Sequence, residues 1–169
     1  MPTRSTLARL GVFLVVAFVV LGAAPGIGAA QSNDRAGGVV TVEQDEVVSG
    51  DLQAYGGSVV IAGTVDGSVE ATAGSVIVTS TGSIAGDLGA AAGSVVVEGT
   101  VDGDVDAAAG SLLIRDGARI GGSLSVGAGD VRIDGEVAGD VRAAGDAVRL
   151  GPTADVGGNV EYDAETFDR

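Results

Sequence analysis

The sequence predicts an all-β chain wound as a single-stranded triangular β-helix of about seven coils, and three regularities carry that prediction. A glycine recurs as Gly50, Gly67, Gly86, Gly103, Gly122, Gly139 and Gly158, at spacings that alternate between 17 and 19 residues. Two positions before each stands Val48, Val65, Ile84, Val101, Ile120, Val137 or Val156, and two positions after it Leu52, Val69, Leu88, Val105, Leu124, Val141 or Val160. A second apolar pair follows nine and eleven residues after each of the first six glycines: Val59/Ile61, Val76/Val78, Val95/Val97, Leu112/Ile114, Val131/Ile133 and Val148/Leu150. β-Branched residues two apart are the mark of strands with one buried face. A fixed repeat length is what stacking like residues on like residues requires, and hairpins do not need it.

A coil of about 18 residues divides into three short faces with corners between them, each coil bonded to the next at about 4.8 Å. The columns then become vertical stacks, with Leu52, Val69, Leu88, Val105, Leu124, Val141 and Val160 as a core stack. Short corners such as Ala62-Gly63-Thr64 alternate with longer ones such as Thr79-Ser80-Thr81-Gly82-Ser83, so the larger unit is a 36-residue pair of coils. Gly, Asp, Ser and Pro suit such tight turns. An alanine column, Ala54, Ala71, Ala90, Ala107 and Ala143 with Val126, implies an interior too narrow for rings. Val40 and Val42 lie 19 residues before Val59 and Ile61, which places the opening strand there.

Four segments follow: residues 1–30 as a signal peptide or signal anchor, 31–38 as a linker, 39–162 as the repeat domain, and 163–169 as an acidic tail. Arg4 and Arg9 precede an apolar run from Leu10 to Leu21, and small residues continue to Ala30. A basic start, an apolar core and a small-x-small end describe a secretory signal cleaved after Ala30. The same uncharged stretch is long enough to span a bilayer as an uncleaved hydrophobic helix. Both readings leave the basic end in the cytoplasm and export the repeat domain, to the extracellular space or the cell surface. Past Val160 the period stops, and Tyr162 and Phe167 suit an end cap over the last layer.

Charge and composition exclude several functions. The net charge is −14, the nine basic residues are all Arg, and there is no His and no Cys. A nucleic-acid partner needs a basic patch, which is absent. Such acidic, Lys-free composition keeps a protein soluble in concentrated salt, where ions screen its self-repulsion. Without His or Cys there is no nucleophile triad, thiol chemistry or ordinary zinc site. Asp51, Asp87, Asp104 and Asp140 form a column with Ser68, Ser123 and Asn159 between and beyond them. Such a column could bind calcium or act as paired acid and base. Its alternation with Ser reads instead as charge spacing on a solvated surface, so no catalytic, metal or cofactor residues are expected. Val60, Ile77, Val96 and Leu113 lie between inward positions and form an outer apolar column, a candidate lateral or partner contact. It gives way to Arg132 and Arg149.

The repeats V-D-G-S-V, V-D-G-D-V and V-A-G-D-V, each followed by small residues and an apolar-x-apolar strand, resemble the bactofilins, or polymer-forming cytoskeletal proteins, from about Val39 to Tyr162. The resemblance implies a right-handed β-helix that self-associates end to end without nucleotide, is not an enzyme and scaffolds other proteins at the membrane. The export signal departs from the family's cytoplasmic habit and points to a scaffold on the outer face of the membrane, with a cell-envelope or membrane protein as partner. The alternative is a monomeric secreted or cell-surface module that binds a protein or polysaccharide partner.

Overall fold

The computed structural model describes residues 33–168, all strand, turn and corner, with no helix among them. The expected signal segment and its hydrophobic helix, residues 1–30, lie outside the described residues. Eight long strands alternate with seven two-residue strands. The long ones are β1 (Asn33–Val42), β3 (Leu52–Ile61), β5 (Val69–Val78), β7 (Leu88–Val97), β9 (Val105–Ile114), β11 (Leu124–Ile133), β13 (Val141–Leu150) and β15 (Val160–Asp168). Between them sit β2 (Val47–Val48), β4 (Thr64–Val65), β6 (Ser83–Ile84), β8 (Thr100–Val101), β10 (Arg119–Ile120), β12 (Glu136–Val137) and β14 (Asp155–Val156). Long strands pair only with long strands and short only with short, in sequence order and always parallel. The result is a parallel solenoid of about seven turns.

The strands reach further than expected at both ends. β1 begins at Asn33, inside the expected linker 31–38, and β15 runs through Asp168, across the expected acidic tail. Backbone pairing supplies the reason: Asn33 lies opposite Leu52 and Asp168 opposite Arg149, so each added residue gains a ladder partner although the apolar period has ended.

Within each long strand the buried positions change phase. In β7, Leu88 and Ala90 face inward, and then Val95 and Val97 do, so the parity switches across Ala91–Ser94. An unbroken strand would keep one parity. The chain bends there, at a second glycine column the repeat conceals: Gly57, Gly74, Gly93 and Gly110. A Cβ on Gly74, Gly93 or Gly110 would come within 2.8 Å of the carbonyl oxygen of the glycine one coil below. The repeat glycines are fixed the same way. A Cβ on Gly103 would lie 2.7 Å from the carbonyl carbon of Gly86, and one on Gly122 2.7 Å from that of Gly103. Close approach keeps these columns glycine; among the described residues only Gly50 and Gly117 have positive φ.

The 19-residue coils close their long corner with a hydrogen-bonded turn, Gly82 N–H to Thr79 O at 2.8 Å and Ala118 N–H to Arg115 O at 3.0 Å. The interior is dry and aliphatic: Leu52, Leu88, Val105 and Val141 are wholly buried, and among the described residues no polar or charged residue is buried. The alanine column is interior throughout.

Candidate association surface: the ends and edges of the solenoid

The expected Asp column is not a row of independent surface charges. Each side-chain oxygen accepts the backbone N–H of the residue one coil above. Ser68 N–H donates to Asp51 Oδ1 (2.9 Å), Asp87 N–H to Ser68 Oγ (3.1 Å) and Asp104 N–H to Asp87 Oδ1 (2.9 Å). The ladder continues with Ser123 N–H to Asp104 Oδ1 (2.7 Å) and Asn159 N–H to Asp140 Oδ1 (2.8 Å). At this corner the residue after each repeat Gly turns its N–H toward the side chain below, and Asp, Ser and Asn are the short acceptors that reach. The mixture of Asp and Ser therefore reflects acceptor chemistry; Asp87 and Asp104, on adjacent coils, are linked by one of these bonds. Among the described residues no group of acids is placed to hold a metal ion.

The outer column Val60, Ile77, Val96 and Leu113 points away from the core, but each member is half-buried, because the column stacks side by side in register. Arg132 and Arg149 continue it as exposed residues, paired with Asp134 (2.7 Å) and Asp130 (3.3 Å).

The two ends of the solenoid differ in chemistry. At the N-terminal end Arg35 occupies the place in β1 that Ala54 occupies in β3. Its guanidinium donates to the Thr41 carbonyl (3.0 Å) and to both carboxylate oxygens of Glu46. Glu46 also accepts the Glu43 N–H at 3.2 Å. These bonds reach from the first flat stretch of β1 to the long corner and form a polar lid, absent from the sequence reading, beneath which Val40, Val42 and Val48 stay buried. The hydrogen bond from Arg35, helped by the Glu43 N–H, holds the Glu46 carboxyl below its ordinary range, and the same bond raises Arg35.

At the C-terminal end the alanine column terminates in Tyr162, opposite Ala143, and the next inward column in Phe167, opposite Val148. The rings stack with centroids 4.0 Å apart and planes 7° from parallel. Rings too large for the narrow interior stack here on the last described strand. The cover is incomplete: Tyr162 is 47% exposed, and Leu150, Val156, Val160 and Phe167 are only partly buried around the mouth. β1 and β15 each have one neighbour in the long-strand sheet, and β2 and β14 one in the short-strand sheet. Among the described residues no strand lies beside the outer edge of β15, and such an edge can template a further strand.

Residues 89–168, from within β7 to the end of β15, match the family described as Bactofilin: polymer-forming cytoskeletal. Over these residues, a little under half of the chain, the protein is similar to the bactofilins. The first coils, 33–88, pair onto this part in the same parallel register, so the solenoid continues through them without a break. No curated protein and no solved structure matches the chain. The bactofilin description names a structural, self-assembling family, which agrees with a surface whose distinctive features are open strand edges and an apolar mouth.

Proposed function

We propose that this protein is a non-enzymatic, polymer-forming scaffold: a triangular, right-handed bactofilin-like column that adds copies end to end on the outer face of the membrane. The observation that carries the reading is the C-terminal end, where core columns that are wholly buried in inner coils emerge half-exposed beside a strand edge that no other described strand covers. A second copy placed there would bury the mouth and continue the ladders at the spacing already present in the molecule. Export is supported by the basic, apolar and small-residue order of residues 1–30, and an envelope or membrane protein is the partner such a scaffold would organise.

Electron microscopy of the purified protein in concentrated salt tests the reading. Filaments are expected, and Phe167→Asp should abolish them while β-sheet circular dichroism is retained. Monomers only from the wild type, or undiminished filaments from the variant, would overturn it. Fractionation of cells carrying a C-terminally tagged chain tests export separately: recovery in the cytosol contradicts it.

A further inference from the structure

We propose that the outer side of the first five coils is a lateral contact face whose occupant is a second copy of this chain. The proposal rests on the end-to-end reading and adds to it how polymers meet side by side.

The face and the bend that borders it comprise residues 36–41, 55–60, 72–77, 91–96 and 108–113, which lie in register one above another and contain no charged residue. Val39, 67% exposed, stands on it, and Tyr55, 44% exposed, stands at the bend along its edge. The half-buried Val60, Ile77, Val96 and Leu113 run along it beside a serine column, Ser58, Ser75, Ser94 and Ser111. Between residues 36 and 114 there is no Arg or Lys, and every acid there falls outside these segments. In coils six and seven the same positions bring Asp130, Arg132, Asp146 and Arg149, so the neutral face ends there.

Charge selects the occupant. In a chain of net charge −14, lateral contact through any other side of these coils would set carboxylates of one copy against those of the next. Contact through this face turns both acidic sides outward. An anionic surface gains nothing here, since the face has no cation to offer.

Size sets the behaviour. At about 4.8 Å per coil and 3.3 Å per residue the face with its bordering bend covers at most roughly 400 Å², so a pair buries at most about 800 Å² in total. That is below the usual range for a specific, stable pair. Two isolated molecules therefore associate weakly, and contacts repeated along end-to-end polymers add up to bundles.

The test uses the full-length protein. Ser94→Asp with Ser111→Asp places carboxylates on the face at positions where the solenoid already accepts Asp130 in the same column, so folding is preserved. Electron microscopy should show wild-type bundles and, for this double variant, single filaments of unchanged length. The chain has no cysteine, so one introduced thiol reports one position. With a bifunctional thiol cross-linker, Ser111→Cys should give covalent dimers in high yield. Asp106→Cys, on the same strand beyond the bend, should give at least about tenfold fewer. Bundles that persist in the double variant, equal cross-linking at the two positions, or none at Ser111→Cys would overturn the proposal. Absence of filaments from every protein would refute the end-to-end reading alone, and the Ser111→Cys cross-link would then decide the lateral face by itself.

Discussion

Gly103 shows how a single residue is constrained by the coil beneath it. A methyl group there would sit 2.7 Å from the Gly86 carbonyl carbon, inside any tolerable contact, so the backbones must part. Gly103→Ala should destabilise the domain by about 1–3 kcal/mol, the usual range for overpacking, read from the urea midpoint. An unchanged midpoint would mean the coils are not in contact at that corner. Asp104 is constrained by a bond. Its Oδ1 accepts the Ser123 N–H at 2.7 Å, and Asp104→Ala should cost about 1 kcal/mol. Asp104→Asn keeps a carbonyl acceptor and should recover most of that loss. If charge repulsion ruled the column instead, the Asn variant would be more stable than wild type in low salt. Glu46 adds a pH dependence. Its folded-state pKa lies below the unfolded value, so the stability it contributes is present above the ordinary carboxylate range and is lost as pH falls through the folded value. With side chains 30% and 34% exposed, the Arg35–Glu46 pair contributes at most about 1 kcal/mol. Acid should loosen β1 before the rest, and Glu46→Gln should remove that pH dependence in urea titrations between neutral and acid.

The long strand is where sequence and structure agree best and also where the sequence conceals most. The inward columns were legible because burial fixes both identity and spacing: Leu88 has Val69 below and Val105 above, and all three are buried. Leu88→Asp would put a carboxylate into a stack that holds no polar group, at a cost of several kcal/mol, and should abolish the β-sheet circular dichroism signal. The bend at Gly74, Gly93 and Gly110 was not legible as a corner, because small residues read alike whether they turn a chain or simply fit beside it. The Asp column was legible as surface residues but not as a ladder, for a related reason: a sequence displays carboxylates but not the N–H groups aimed at them. The N-terminal lid left one trace, since Arg35 precedes Ala54 by 19 residues, one long coil, in the alanine column. A charged residue in an interior column signals the end of the stack. The aromatic end was legible because rings cannot enter an alanine-lined interior.

The described residues combine a dry aliphatic centre with an acidic exterior whose cations, Arg35 apart, lie between Arg115 and Arg149. Arg115, Arg119 and Arg142 pair with Glu98, Glu136 and Glu161 on neighbouring coils, at 3.0, 2.8 and 3.4 Å. These exposed pairs each add little. The net charge of −14 opposes any meeting of copies, and dissolved ions screen that repulsion over about 10 Å at 0.1 M and over less at higher concentration. Sedimentation at fixed protein concentration should therefore show assembly increasing with salt. Assembly that weakens with salt would mean that the contacts are ionic, contrary to the apolar mouth and neutral face.

The uniform parallel register also makes the height of the column a countable trait. Because Val69 and Val105 occupy equivalent places, excising residues 69–104 would join Ser68 to Val105 with every surviving layer still matched to its neighbour. Such a shortened gene should give a folded rod two storeys lower, roughly 10 Å at the spacing between strands. A lineage carrying this architecture could thus lengthen or trim its building block in whole steps, by duplication or loss of DNA, without inventing a new fold.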